Sequence, residues 1–445
     1  MGILIMAGQL MLSLSILIVL HEMGHFLPAR LFGTRVEKFY LFFNPWFTPY
    51  KKQIGETEYG IGWLPLGGYV KIAGMIDESF DRDQLDQEPQ PYEFRSKPAW
   101  QRLIIMLGGV TVNFILGFLL YGMVLWIWGE EYMPAENVEY GIYADSLGMD
   151  LGLQDGDHVL AVGDRTFDIF NDRILVQEIA INNAKSITVN RDGQEVKLPV
   201  DEKFSAILAS YKNKDKRLFL ARVPFVAGEL IKDNPAEKGG IQKEDQIVKL
   251  NGEYTPFFND FLTKIKPLKN QEVMVTVVRN ESDTLDLNMT TTEDGTIGVV
   301  PYGENYFFET ATKEYSLAEA LPAGTTKGLE FLGIQLKAFG QMFRGKIKAS
   351  DSLGGFASIG KMFGATWDWR HFWFMTAILS LILAFMNLLP IPALDGGYVV
   401  FLLFEVVTGI KPSDKFIENA NVVGFILVLG LIVFANGLDV FRELF

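Results

Sequence analysis

No cysteine occurs among the 445 residues. A disulfide framework and any thiolate metal site are therefore excluded, while the compartment stays open. Histidine is nearly as scarce, with only His21, His25, His158 and His371 in the whole chain. Basic residues are outnumbered, 40 Lys and Arg against 54 Asp and Glu, and no basic tract interleaves with aromatics. Nucleic acid is thereby excluded as a partner. The first apolar run also lacks the basic residues and the small-x-small site of a cleaved leader. It reads as a retained membrane span.

What is abundant is apolar. Hydrophobic residues make up 49% of the chain, yet 21% is charged, so polar modules must alternate with greasy ones. The length suggests roughly two to four units. Four apolar segments are long enough to span a bilayer, within residues 1–28, 102–128, 372–395 and 421–440. Tyr398 to Val407 is too short to span and contains Glu405. It reads as a helix packed at the membrane face or against protein, within a segment at 396–420 that returns to the cytoplasm.

Charge placement orients the spans. Arg30, Arg35 and Lys38 follow the first span, and Arg95, Lys97 and Arg102 lead into the second. The positive-inside rule puts 29–101 in the cytoplasm and the N-terminus and 129–371 outside. Within 29–101, the stretches 35–41, 58–63 and 69–72 look extended around a Pro65-Leu66-Gly67-Gly68 turn, giving a β-rich insert. Residues 78–92 are acidic and rich in Gln and Pro, as in a solvated loop. Outside, Gly152-Leu153-Gln154-Asp155-Gly156-Asp157 is echoed by Gly240-Ile241-Gln242-Lys243-Glu244-Asp245, so the copies start 88 residues apart (240 less 152). That period fits two tandem domains, at 129–218 and 219–308, and not a solenoid. Residues 309–371 include Leu317 to Phe343, apolar at helical spacing, as in a helix along the membrane surface.

The first span ends in His21-Glu22-Met23-Gly24-His25. On a helix, residues four apart share a face with roughly 6 Å of rise between them. His21 and His25 can therefore hold one metal, and Glu22 on the flank can act as a general base. A membrane helix carries such residues at a cost, which favours a functional reading. Catalytic zinc needs a third ligand and an open position. The first and third spans both run from outside to inside, and the third ends in Asn387-Leu388-Leu389-Pro390-Ile391-Pro392-Ala393-Leu394-Asp395-Gly396. Asp395 thus reaches the depth of the histidines; Glu405 is the weaker alternative, and His158 and His371 belong to the outer side.

These motifs together resemble the site-2 proteases, intramembrane zinc metalloproteases with H-E-x-x-H in one helix and L-D-G in a later one. The resemblance covers nearly the whole chain, including an N-x-x-P-x-P-x-L-D-G run. It implies a polytopic α-helical membrane protein with about four transmembrane helices, a cytoplasmic-side membrane-associated β insert and two tandem PDZ-like α+β domains. It implies one Zn2+ per chain on His21, His25 and Asp395, with Glu22 as the base. Asn387, Gly67, Gly68, Tyr69, Val70 and Asn113 become the expected substrate-binding residues. Substrates would be single-pass membrane proteins in the lipid bilayer, either an anti-sigma factor stub already cut outside or remnant signal peptides. The setting would be the bacterial inner membrane, with the PDZ-like domains in the periplasm. Two matches are imperfect, because Val110 and Phe356 stand where the family usually has proline. The rival readings are a proteolytically silent PDZ scaffold and a metal transporter.

Overall fold

The computed structural model describes residues 2–65, 67–75, 88–213, 216–348, 350 and 354–444. Most of the expected acidic loop, together with Leu66 and Leu353, lies outside them. The chain forms two compact units, one comprising 1–129, 314–336 and 353–445, the other 130–313 and 337–352.

The first unit is built on helices α1 (Gly2–Leu31), α2 (Ala99–Trp128), α3 (Leu317–Phe343, through Leu336 in this unit), α4 (Phe356–Met362), α5 (Trp369–Leu388), α6 (Asp395–Thr408) and α7 (Asp414–Leu444). Of these, α1, α2, α5 and α7 are long and apolar enough to cross a membrane. The protein is therefore polytopic. Helix α2 lies along both α1 and α5. Small residues bring the backbones together: a Cβ on Gly108 would collide with the Gly24 carbonyl, and one on Gly117 would meet the Leu381 side chain. Buried hydroxyls supply the specificity that lipid-like surfaces lack. Thr376 Oγ1 donates to Ser13 Oγ at 3.0 Å, and Ser380 Oγ donates to the Asn113 carbonyl at 2.7 Å.

Between α1 and α2 the chain forms a four-stranded sheet from β1 (Val36–Leu41), β2 (Tyr50–Ile54), β3 (Thr57–Ile61) and β4 (Tyr69–Ile72), in the order β2-β3-β1-β4. β1 runs parallel to β3 and antiparallel to β4, with Phe39 opposite Val70. β4 is thus an edge strand. Val36 and Ile72 join Ile105, Met106, Tyr398, Val399 and Leu402 in one core, which fixes the sheet against α1, α2 and α6. Beside it Arg102 and Glu405 form a buried ion pair at 2.5 Å.

The second unit contains two lobes of the same design. In the first, Gln194–Pro199, Ser186–Arg191, His158–Val162 and Arg165–Thr166 lie in that order across a sheet. In the second, Asp283–Thr290, Glu272–Arg279, Gln246–Leu250 and Glu253–Tyr254 repeat the order. Each lobe has its own apolar core, one around Val162, Leu175, Ile179 and Ile187, the other around Ile247, Phe261, Val275 and Val277. Phe219–Ala221, which opens the second expected segment, pairs with Ile142–Ala144 of the first.

The repeat extends to one ion pair. Arg191 makes a two-pronged contact with Asp157 at 2.7 and 2.8 Å and also donates to the Gly152 carbonyl. Arg279 does the same to Asp245 and Gly240. Asp157 is fully buried and also accepts from the Gln154 N–H, just as Asp245 does from Gln242. The aspartate locks the turn that opens the strand, and the arginine makes its burial tolerable. Arg191→Leu is expected to cost about 3 kcal/mol, because it strands a buried carboxylate. Denaturant unfolding of the full chain measures this. Arg279→Leu should act in the same direction in the second lobe.

Candidate active site

The last turns of α1 present His21 and His25 edge to face, with ring centroids 4.9 Å apart. Room for them comes from α2. A Cβ on Gly109 would strike His25 Nε2 and both His21 ring atoms beside it, while Gly24 and Gly108 allow the backbones to touch. The outer nitrogens of both rings are held. His25 Nδ1 lies 2.9 Å from the Ile105 carbonyl, and His21 Nδ1 lies 3.1 Å from the Asn113 amide. Donation from His25 Nδ1 leaves its Nε2 lone pair facing inward, the arrangement that fixes tautomer and ring angle in metal sites, while the Asn113 amide group sets the angle of the His21 ring.

Asp395 reaches the same point from the opposite direction. Leu389-Pro390-Ile391-Pro392-Ala393-Leu394 doubles back after α5, and Asp395 opens α6. Gly396 and Gly397 are required there, since a Cβ on either would collide with the backbone of 388–392. His21 Nε2 and His25 Nε2 are 3.3 Å apart, and Asp395 Oδ2 is 3.3 Å from the first and 3.4 Å from the second. Oδ2 is nevertheless buried without a well-directed hydrogen bond. The three atoms converge on a common centre. Zinc bonds of about 2.0–2.1 Å at tetrahedral angles place ligand atoms about 3.3–3.4 Å apart, so this donor set fits the ion. Among the described residues, His, Asp and Glu converge in this one group of three.

The other candidates sort themselves by location. Glu405 is committed to Arg102, and His371 Nε2 lies 2.6 Å from the Met362 carbonyl near the far end of α5. Glu22 lies beside the residues that lead into the edge strand, its side chain next to Gly68. Gly68 makes that approach possible, because a Cβ there would press on Ile18 and the Tyr40 carbonyl and reach Glu22. Gly67 and Tyr69 turn elsewhere: Gly67 abuts the Phe43 ring, and Tyr69 stacks on Tyr40 and donates to Asn44. Asn387 is half-buried in the last turn of α5. Asn113 is buried against His21 and not open to a ligand. Gly108 and Gly109 were not among the expected site residues; a glycine pair inside an apolar run was the available signal of a close approach.

A model described as peptidase family M50 matches residues 9–431. The chain belongs to peptidase family M50. Its relatives include the regulator of sigma E protease of Haemophilus influenzae, 28% identical with 98% of each chain covered. The regulator of sigma-E protease RseP of Escherichia coli is 27% identical over 96% of this chain and 97% of its own. The Salmonella typhimurium protein of the same name is 27% identical over 95% and 96%. This M50 member is a zinc metalloprotease of the site-2 type, and its matched region runs from Gln9 in α1 past Asp395 into α7.

The contact at Gly109 gives a direct test. Gly109→Ala should push the imidazoles apart and weaken zinc retention by about 10- to 100-fold, the range for a disturbed ligand support. Chelator competition on the detergent-solubilised chain reads this, and unchanged zinc affinity would contradict the steric argument.

Proposed function

We propose that this protease holds one Zn2+ per chain on His21 Nε2, His25 Nε2 and Asp395 Oδ2 and cuts membrane-embedded segments of single-pass proteins. The observation that carries the reading is the triangle of three donor atoms at 3.3–3.4 Å, with a buried, undirected Oδ2 at one corner. Zinc, when bound, supplies a Lewis acid that polarises a scissile carbonyl and brings the pKa of water to about 7. Glu22 takes the proton from the attacking water and delivers it to the leaving amide nitrogen. The new C–O bond and the broken C–N bond leave a carboxylate and an amine.

The substrate must lose its helix for this to happen, since helical hydrogen bonds shield the peptide. The edge position of β4, which holds Val70, and the place of Gly68 next to Glu22 support strand addition of the unwound segment. Gly67 and Tyr69 shape that strand, and Asn387 stands at the membrane-helix end nearest the Asp395 loop. Asn113 serves the site through His21.

The repeated lobes are read as tandem PDZ-like domains on the periplasmic side of a bacterial inner membrane, with the β insert and active site toward the cytoplasm. There they would admit stubs whose outer domain has already been removed. The relatives are named as regulators of sigma E; an anti-sigma factor stub is the substrate proposed to go with such a role, and remnant signal peptides are a second. A silent scaffold has no use for a complete donor triangle beside a carboxylate.

The test compares wild type with Glu22→Gln on a single-pass model substrate. The variant is expected to keep one zinc per chain by mass spectrometry and to lose cleavage. A fully active Glu22→Gln would remove the base assignment, and a metal-free wild type would remove the site itself.

A further inference from the structure

The loop that delivers Asp395 has little to hold its shape from within. Pro390 and Pro392 have no N–H to donate. The internal backbone bonds are Ile391 N to Leu389 O at 2.7 Å and Leu394 N to Ile391 O at 3.1 Å. Ala393, two residues before Asp395, has φ of +74°. For a residue with a Cβ this left-handed conformation costs about 1–2 kcal/mol, and it persists only where the surroundings impose it.

The surroundings here are one face of α7. Asn421 Oδ1 accepts the Ala393 N–H at 3.3 Å, and Asn421 Nδ2 donates to the Tyr398 hydroxyl of α6 at 3.2 Å. Asn421 is buried. One turn on, Gly424 lies so close to Pro392 that a Cβ would collide with its carbonyl. Most of the rest of α7 is exposed, Val423, Ile426 and Val433 among its residues. The contact is therefore local and specific: a buried amide spans the strained residue and the helix that Asp395 opens.

We infer that Asn421 is a positioning residue for the metal centre, clamping Ala393 in its left-handed conformation so that Asp395 Oδ2 stays in register with the two histidines. The inference rests on the reading of Asp395 as a zinc ligand. Asn421 touches neither metal nor substrate. It acts by selecting one conformation of a loop that would otherwise relax to negative φ and carry the carboxylate away.

This predicts a pattern in zinc affinity, measured by chelator competition on the full chain in detergent. Asn421→Leu should weaken zinc binding about 10- to 100-fold, as loss of a ligand support does. Ala393→Gly, added to Asn421→Leu, should restore most of the affinity, because glycine adopts positive φ without the clamp. Ala393→Val should weaken zinc binding with Asn421 intact, since a β-branched residue is strongly disfavoured there. A lost packing contact alone would not be rescued by removing a methyl group two residues from Asp395. Wild-type affinity in Asn421→Leu, no restoration by glycine, or a neutral Ala393→Val would each overturn the inference. Should Asn421→Leu fail to fold, Ala393→Val decides the matter. Asp395→Ala separates the two levels: if it leaves zinc binding unchanged the ligand reading falls, and if it abolishes binding only the clamp is at stake.

Discussion

The contact on which this structure depends is the crossing of α1 and α2 at Gly24, Gly108 and Gly109. Two helices in lipid gain little from burying apolar side chains, because lipid is as apolar as they are. What brings them together is shape. With no Cβ at three positions the backbones touch, and the space one glycine leaves is filled by two imidazoles. Larger residues would separate the helices, and the rings would then lose the Ile105 carbonyl and the Asn113 amide that aim them.

Polar groups inside a membrane protein must be satisfied by protein. Here they are distributed economically. Gln9 donates to carbonyls at 363 and 364, Ser13 accepts from Thr376, and Ser380 bonds the backbone of Asn113, whose side chain meets His21. Away from this seam, Arg102 neutralises Glu405 at the end of the same bundle. Asp395 Oδ2, like Gln9 Oε1 and Asn113 Oδ1, is a buried acceptor left without a directed donor, and it sits where two imidazole nitrogens converge.

Much of this was legible in the sequence. The four spanning helices follow from apolar run length, which is the strongest signal a bilayer imposes. Pairing of His21 and His25 follows from helical period, and Asp395 could be placed beside them by counting crossings. β2 was not legible, because every residue of Tyr50–Ile54 is exposed and the strand shows no inward face. Ala393 was hidden for a different reason. Nothing in alanine announces a positive φ, and its partner Asn421 lies in another helix, at a separation that local pattern cannot bridge. Asn113 was noticed, but its partner depended on how α1 and α2 rotate against each other.

The edge strand β4 is only four residues long. So short an edge is a poor template for stacking copies of the protein, which is one way natural sheets avoid aggregation. Its brevity also limits what it can read. Pairing along a strand edge engages main-chain amides and carbonyls, and these are the same in every polypeptide. A grip of that kind is nearly blind to sequence. If substrates pair with β4 as proposed, discrimination falls to the energetic ease with which a candidate helix comes apart over one turn, and the trait selected in a substrate is local fragility more than any motif.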